Sequence, residues 1–172
     1  MENNPKVIVL MSSYNGEKYI EDQLDSILDQ TYDNFEIYVR DDGSKDNTLN
    51  ILKKYEKEGK IKLFIGENIG YVKSFFWLIR NSSDADFYSF SDQDDVWLSD
   101  KIEKGINLLK NSPPEIPTLY FSNYDFYDSN MNFIKHNKPL LKKPNLFNTL
   151  KKGENGIGCT EIINQKLKET IC

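Results

Sequence analysis

The run Lys6-Val7-Ile8-Val9-Leu10-Met11, followed at once by Ser12-Ser13-Tyr14-Asn15-Gly16, decides the fold of this 172-residue chain. Continuous apolar and β-branched residues are typical of a strand that is buried on both faces, as in a parallel sheet. The small and polar residues that follow favour a turn. The sequence therefore predicts a first strand whose carboxyl end opens into a polar loop.

Strand-like and helix-like segments alternate after this loop. Because strands that alternate with helices form parallel sheets covered on both faces, we predict an α/β fold with a mainly parallel sheet. Ser44 or Asp46 is expected to cap the second helix, and Ser99 the fourth. The next predicted strands are 35–40, 61–65 and 87–90, and the predicted helices are 17–30, 44–58, 72–79 and 99–109.

The pattern changes after three prolines at positions 113, 114 and 117. Shorter strands and one last short helix are predicted beyond them. The length of the chain fits one domain with a sizeable core. We therefore expect a single domain, 1–172, with a regular half at 1–112 and a more irregular half at 113–172. The later predicted strands lie at 119–124, near Phe133 and within 156–163.

Carboxylates cluster at two of the predicted strand ends. Asp92, Asp94 and Asp95 follow the fourth strand, and the pair Asp41-Asp42 follows the second. Mutual repulsion between such acids is relieved by a divalent cation with oxygen ligands, Mg²⁺ or Mn²⁺. The alternative is that these acids are solvated turn residues.

All four predicted strands carry polar groups at their carboxyl ends, where ligands bind in open α/β sheets. No glycine-rich dinucleotide fingerprint and no Walker-type lysine loop follows the first strand, so a diphosphate would be held through a cation. Asp92 and Asp94 would point the same way in an extended segment and share that cation. The groups at the strand ends are Ser12 to Asn15, Asp41 to Ser44, Glu67 to Gly70, and Asp92 to Asp95.

Composition limits the classes of function. The net charge of -5 and the pI near 5.0 argue against a nucleic-acid binder, which usually has a basic face. Cys159 and Cys172 are not in a metal-ligand spacing and fit reduced thiols better than a disulfide framework. Residues 1–6 are polar, so no signal peptide is visible, and no apolar run is long enough for a membrane span. A cytoplasmic protein is expected.

A basic segment extends from Lys135 to Lys152 and contains no acid. It could contact an anionic lipid-linked acceptor at the inner face of the cell membrane. The alternative is a solvated loop with spare lysines. The lone histidine, His136, lies in this segment, so a histidine-based metal site is not predicted.

Three phrases of the sequence together resemble the family 2 glycosyltransferases. They are Val7 to Asn15, Asp41 to Thr48, and Ser91-Asp92-Gln93-Asp94-Asp95-Val96-Trp97. The last phrase, with the later Gly158-Cys159-Thr160 and Asn164, is most similar to bacterial rhamnosyl- and galactosyltransferases of surface-polysaccharide assembly. The resemblance implies the GT-A fold, a Rossmann-like three-layer α/β/α architecture. It also makes 1–112 a nucleotide-sugar-binding half and 113–172 an incomplete acceptor-side half.

The resemblance implies roles for individual residues. Asp42 would accept a hydrogen bond from the imide N–H of uracil or thymine, which suits a carboxylate. Asp92 and Asp94 match the metal-binding Asp-x-Asp motif, with Asp94 the more direct ligand to Mg²⁺ or Mn²⁺ on the diphosphate. Trp97 would either floor the sugar pocket or anchor its loop in the core. The implied nucleotide-binding residues are Ser12, Tyr14, Asn15, Asp42 and Lys73, and the implied sugar-binding residues are Gln93 and Trp97.

The sequence offers no general base for an inverting transfer. The family usually supplies an acid C-terminal to the Gly-Cys-Thr region, and the acids after Gly153 are Glu154, Glu161 and Glu169. Glu161 stands where relatives usually carry an apolar residue and is not assigned this role. The resemblance therefore implies a C-terminally truncated GT-A domain, with the base beyond Cys172.

The leading hypothesis is a metal-dependent inverting glycosyltransferase. It would move a hexosyl or deoxyhexosyl group from a UDP- or dTDP-sugar to a growing cell-surface polysaccharide, with a glycan or a lipid-linked saccharide as acceptor. The alternative is a catalytically incomplete nucleotide-sugar-binding fragment or assembly module. An aspartate-based phosphotransferase would need a lysine and a Ser or Thr at later strand ends in a defined order, which the sequence lacks.

Overall fold

Strands and helices alternate along the first part of the chain, as the sequence predicts. The computed structural model describes residues 4–137 and 158–172. The strands are β1 (Val7–Ser13), β2 (Phe35–Asp41), β3 (Lys62–Ile65), β4 (Phe87–Ser91), β5 (Leu119–Phe121), β6 (Asp125–Tyr127), β7 (Phe133–His136) and β8 (Glu161–Asn164). The helices are α1 (Ile20–Leu28), α2 (Thr48–Lys57), α3 (Tyr71–Asn81), α4 (Lys101–Leu109) and α5 (Gln165–Ile171), and a 3-10 turn spans Gly158–Thr160.

Six strands form one sheet in the order β3-β2-β1-β4-β8-β5, and β6 and β7 form a separate two-stranded sheet. β1 pairs in parallel with β2 and β4, and β2 pairs in parallel with β3. β8 runs antiparallel between β4 and β5. The predicted mainly parallel sheet is confirmed, and the carboxyl ends of β1, β2 and β4 lie side by side at one edge.

Helices cover both faces of the sheet. Alternate residues of a strand point to opposite faces. Val7, Val9 and Met11 of β1 pack in a core with α1, α2 and α4, whereas Ile8 and Leu10 pack in a core with α3. All five side chains are fully buried. The architecture is three-layer α/β/α, and burial on both faces explains the unbroken apolar sequence of β1.

Neither residue predicted to cap α2 occupies the N-cap position, which is Asn47. Ser44 instead donates its hydroxyl to Asp41 at 2.5 Å. Asp46 accepts the backbone N–H of Thr48, the first residue of α2, at 3.0 Å. The prediction was wrong for Ser44, whose side chain stabilises the loop between β2 and α2. Asp46 binds the end of the helix from one position before the N-cap.

Other element ends also differ from the predictions. The N-cap of α4 is Asp100 and not Ser99. The strand predicted within 156–163 begins only at Glu161, after the 3-10 turn, and β5 is shorter than the predicted strand 119–124. β5 and β8 pair over three residues each, so their lengths follow from their pairing and not from local sequence alone.

Both predicted halves of the chain contribute to the same sheet. β8 of the second half pairs with β4 of the first half, with Phe87 opposite Asn164 and Ser89 opposite Ile162. Ile162 also packs against Gly105 of α4, where a Cβ atom would overlap with Ile162 Cδ1. One core therefore joins the two parts of the chain.

Most of the basic segment lies outside the described residues. In its described part, 135–137, Lys135 and His136 belong to β7. Lys138, Lys142, Lys143, Lys151 and Lys152 lie outside the described residues, so the membrane contact stays a prediction. Within residues 4–137 and 158–172, no helix combines the length and the apolar character needed to cross a membrane.

Leu108 and Leu109, adjacent at the end of α4, offer a matched test of the core. Leu109 is 4% exposed and packs in the core, whereas Leu108 is 68% exposed. We expect Leu109→Ala to lower the free energy of unfolding by about 2–4 kcal/mol, because it removes buried methyl groups and leaves a cavity. Leu108→Ala should change it by less than about 0.5 kcal/mol. Urea unfolding followed by circular dichroism measures both, and equal losses would contradict this packing.

Candidate functional site

A cavity of about 310 Å³ opens at the carboxyl ends of β1, β2 and β4. Ligands bind at this edge of open α/β sheets. The cavity brings together six residues that the sequence predicts for a site: Ser12, Tyr14, Asp42, Asp92, Gln93 and Asp94. The other lining residues are Asn68, Gly70, Tyr71 and Phe75, from the loop before α3 and the start of that helix.

The adjacent acids Asp41 and Asp42 have different surroundings. Asp41 is fully buried and accepts hydrogen bonds from the Ser13 hydroxyl at 3.2 Å and from the Ser44 backbone N–H at 3.0 Å. Gly43 follows them with a φ of +78°, a conformation that favours glycine. Asp41 therefore stabilises the loop, and Asp42 lies at the cavity.

The Asp42 carboxylate is held from two directions. Its side chain is only 3% exposed and forms an ion pair with Arg40 through Nη1. The backbone N–H of Ile69 donates to Asp42 Oδ2 at 3.2 Å. A buried carboxylate needs such partners to remain ionised. Asp42 consequently offers the cavity a fixed hydrogen-bond acceptor.

The Gln93 side chain links the acidic loop after β4 to the turn after β1. Its Oε1 accepts the backbone N–H of Tyr14 at 2.9 Å, and its Nε2 donates to the Tyr14 carbonyl at 3.1 Å. A Cβ atom at Gly16 would overlap with Gln93 Oε1, so a larger residue there would displace this side chain. Gln93 thus has a visible structural role, and its role in sugar binding stays a prediction.

The acidic loop does not remain extended. The chain turns at Gln93 and Asp94. One ligand atom each of Asp92, Asp95 and Cys159 then lies within 4.8 Å of the others, while Asp94 is exposed at the cavity. The condition for Asp92 and Asp94 to point the same way, an extended segment, is therefore not met, and the turn groups Asp92 with Asp95. Both Asp92 and Asp94 still line the same cavity.

The grouped acids are half-buried without full compensation. Burial, with Asp95 and Asp94 nearby, raises the pKa of Asp92 to about 6, although a hydrogen bond with Cys159 opposes the shift. Burial also raises the pKa of Asp95, and the contact with Cys159 and the charge of Lys101 oppose it. Burial lowers the pKa of Lys101 itself to about 8. An excess of negative charge therefore remains beside the cavity.

Trp97 belongs to the core and does not line the cavity. It is 6% exposed, and its backbone N–H donates to the Ser26 hydroxyl at 3.0 Å. Lys101 Nζ lies 3.8 Å from the centroid of the Trp97 ring. Trp97 thus has the position of a loop anchor, which is one of its two predicted roles.

Asn15 and Lys73 also lie outside the cavity lining. Asn15 has a φ of +51°, and its Oδ1 accepts the backbone N–H of Lys45 at 2.8 Å. This bond joins the loops that follow β1 and β2. Lys73 is exposed on the first turn of α3. The nucleotide-binding roles implied for both residues stay predictions.

Sequence reasoning missed the aromatic residues of the cavity wall, Tyr71 and Phe75. The apolar repeat at helical spacing predicts α3 but not which of its residues reach the core. Leu78 is fully buried, whereas Tyr71 is 73% exposed and Val72 is 50% exposed. The available signal was a helix with more apolar residues than one buried face requires.

The side chains at the cavity suit a hard divalent cation. Carboxylate oxygens are the ligands that Mg²⁺ and Mn²⁺ prefer, and Asp92 and Asp94 both line the cavity. A cation there would offset the excess negative charge that helps to raise the pKa of Asp92. Cys159 is a poorer ligand, because burial raises the pKa of its thiol and keeps it neutral.

The chain belongs to glycosyl transferase family 2, whose sequence model matches residues 8–171. The dTDP-rhamnosyl transferase RfbG of Shigella flexneri is 36% identical over 127 residues, which cover 70% of this chain and 40% of RfbG. TuaG of Bacillus subtilis, which its name assigns to teichuronic acid biosynthesis, is 36% identical over 107 residues, covering 61% of this chain and 42% of TuaG. The chain thus matches less than half the length of these relatives.

The fold is that of the GT-A glycosyltransferases. TarS of S. aureus, solved as the fragment 1-349, matches with a TM-score of 0.54 and 30% sequence identity over 61% of this chain and 32% of the TarS chain. TarS has also been solved with UDP and with UDP-GlcNAc. The family and the fold implied by the sequence are both confirmed.

Asp92→Asn tests whether the cavity holds uncompensated charge. The pKa of Asp92 is raised from its ordinary value of 3.8 to about 6. An acid with a raised pKa binds more protons in the native state than in the unfolded chain. Its ionisation therefore destabilises the fold above about pH 6. This penalty disappears as the pH falls toward 4. We expect Asp92→Asn to raise the free energy of unfolding near pH 7.5 by about 1 kcal/mol, after discounting for partial solvent exposure.

The same substitution should flatten the dependence of stability on pH between about 4 and 7. Urea unfolding in buffer containing a chelator, at a series of pH values, measures both effects. Glu115→Gln removes an acid from an exposed loop and serves as the matched control. A loss of stability near pH 7.5 in Asp92→Asn would show that the carboxylate is compensated after all.

Proposed function

We propose that this chain is the donor-binding part of a metal-dependent inverting glycosyltransferase. It would use a UDP- or dTDP-sugar to add a hexosyl or deoxyhexosyl group to a growing cell-surface polysaccharide or a lipid-linked saccharide. One observation carries the proposal: a single cavity joins the paired carboxylate Asp42 to the acids Asp92 and Asp94. A nucleoside diphosphate needs such groups at its two ends, an acceptor for the base and a cation site for the phosphates.

The named relatives support both donor classes. RfbG is named a dTDP-rhamnosyl transferase, and TarS has been solved with UDP and UDP-GlcNAc. Uracil and thymine present the same imide N–H, so one carboxylate acceptor would serve both. The name of TuaG supports a cell-surface polysaccharide as the acceptor.

The nucleoside would bind against the ends of β1 and β2. Asp42 lies at the cavity with its carboxylate held by Arg40 and the Ile69 N–H, so it would accept the imide N–H of the base. Ser12 supplies a hydroxyl to the same wall, and Tyr14 and Phe75 supply aromatic surface suited to a flat ring. These residues would hold the base and orient the diphosphate toward the acidic loop.

The diphosphate would bind near Asp92 and Asp94, which would hold Mn²⁺ or Mg²⁺. When bound, this cation would neutralise the charge that develops on the departing nucleoside diphosphate. The contact between Gln93 and Tyr14 keeps the acidic loop in place beside the nucleoside wall. The amino end of α3 also borders the cavity at Gly70, and helix N-termini favour anions.

In an inverting transfer, the acceptor hydroxyl attacks the anomeric carbon, its proton passes to a general base and the nucleoside diphosphate leaves. Glu161 is a weak candidate for this base, because it lies on β8 and does not line the cavity. The acids of the cavity itself are placed to bind the donor.

A second candidate function is nucleotide-sugar binding without transfer. It is favoured by the lining of the cavity, in which Asp42, Asp92 and Asp94 are placed to bind a donor and Glu161 takes no part. Assays with radiolabelled UDP- and dTDP-sugars distinguish the two. An enzyme releases or transfers the sugar, whereas a binding module binds the nucleotide and leaves the sugar attached.

Calorimetric titration with UDP and dTDP, with and without Mn²⁺, tests the donor site. We expect the metal to tighten binding by about tenfold or more, equivalent to ~1.4 kcal/mol. Asp94→Asn should remove this gain and leave binding without metal unchanged, since the carboxylate would act only through the cation. Glu115→Gln, with its exposed position, should behave as the wild type. The absence of binding by either nucleotide in the presence of metal would refute the proposed function.

A further inference from the structure

Arg40 is a buried arginine inside β2 that the proposed function does not yet explain. It is 5% exposed and forms the ion pair with Asp42. Its Nη2 donates to the carbonyl of Glu67 at 3.2 Å, and its guanidinium lies 5.4 Å from the ring centroid of Trp77. Burial lowers the pKa of Arg40, while the charge of Asp41 opposes the shift. A guanidinium in this position remains charged, because its ordinary pKa is far above neutrality.

The surrounding chain leaves room for this guanidinium. Gly66 follows β3, and a Cβ atom at this position would overlap with Arg40 Nη2. Any larger residue at position 66 would therefore displace the guanidinium from its contacts. The arginine thus occupies a site formed by the loop before α3 and by α3 itself, rather than a gap at the surface.

Ser74 connects Arg40 to a second cavity residue. It is fully buried on α3, and its hydroxyl oxygen accepts a hydrogen bond from Arg40 Nη1 at 3.3 Å. The Ser12 hydroxyl donates to the same oxygen at 2.7 Å. Ser12, Ser74, Arg40 and Asp42 therefore form one connected network, with a cavity residue at each end.

The contacts of Asp42 leave part of its carboxylate available. An ionised carboxylate has about four lone-pair sites. Arg40 engages Oδ1, and the Ile69 N–H engages Oδ2. The two contacts fix the carboxylate and leave lone pairs for a ligand in the cavity.

We propose that Arg40, with Ser74, is a positioning residue that fixes the ionised Asp42 carboxylate for a pyrimidine imide and so selects uracil or thymine over cytosine. This inference rests on the proposed function, because it concerns the base of the same donor. Uracil and thymine present a ring N–H where cytosine presents a ring lone pair, and cytosine carries an amino group beside it. A fixed carboxylate accepts from the imide and repels the lone pair. A carboxylate that is free to rotate could turn toward the amino group and lose this selectivity.

The test compares UDP with CDP, which share the ribose and the diphosphate. Both are titrated calorimetrically into the full chain with Mn²⁺, and the readout is the ratio of the Kd for CDP to the Kd for UDP. We expect a wild-type ratio of about ten or more. Arg40→Leu should weaken UDP binding and bring the ratio to about one or two, while CDP binding changes little. Arg40→Lys, which keeps the charge but not the planar fork, should restore part of the ratio.

Two further variants separate positioning from a general structural effect. Arg80→Leu removes an exposed arginine at the end of α3, the helix that carries Ser74. It should leave the ratio of the two Kd values unchanged. Ser74→Ala keeps the ion pair but removes the link to Ser12, and should lower the ratio by about twofold to threefold. Thermal unfolding shows whether each variant is folded. If Arg40→Leu does not fold, Ser74→Ala provides the test.

Each outcome supports or overturns the inference. A collapse of the ratio in Arg40→Leu, or its partial loss in Ser74→Ala, supports it. Equal weakening of UDP and CDP would assign Arg40 a purely structural role, and tighter UDP binding in Arg40→Leu would mean that Arg40 competes with the base. Either result overturns this inference and leaves the proposed function in place, whereas a wild-type protein that binds neither nucleotide overturns both.

Discussion

The cavity depends on one electrostatic constraint: parallel strands bring carboxylates to the same edge of a sheet, and each buried carboxylate must be compensated. The chain meets this need fully in two places and only partly in a third. Hydroxyl and backbone N–H groups satisfy Asp41, and the Arg40 guanidinium pairs with Asp42. Cys159 is near both Asp92 and Asp95, and Lys101 is near Asp95, but both acids retain raised pKa values. How far the charge of each carboxylate is compensated decides what that carboxylate can bind.

Features that depend on neighbouring residues could be predicted from the sequence. Burial of β1 on both faces requires apolar residues at successive positions, so the central strand is visible as an unbroken run. Alternation of strands and helices then predicts a parallel sheet with a polar carboxyl edge. These rules are sufficient to bring Ser12, Asp42 and the acidic loop to one cavity, although they do not give the orientation of any side chain.

Features that depend on contacts between distant residues could not be predicted. Gln93 bonds Tyr14 across 79 positions, and Arg40 reaches Ser74 across 34 positions. Arg40 stands within a predicted strand, and only the packing of α3 shows that its side chain lies inside the protein. The turn at Gln93 and Asp94 agrees with the alternative that these acids are turn residues, but the grouping of Asp92 and Asp95 with the distant Cys159 has no local signature.

The two ends of the cavity differ in a way that suits a nucleoside diphosphate. Asp42 is compensated from within the protein, so its acceptor position does not depend on a ligand, as recognition of a neutral base requires. Asp92 and Asp94 lie where negative charge exceeds positive charge, so binding of a cation there would be favourable even before a nucleotide arrives. The nucleotide would then bring further negative charge to the cation and a neutral N–H donor to Asp42. A ligand with phosphate alone would satisfy one end, and a nucleoside alone the other, so only the joined molecule would use both.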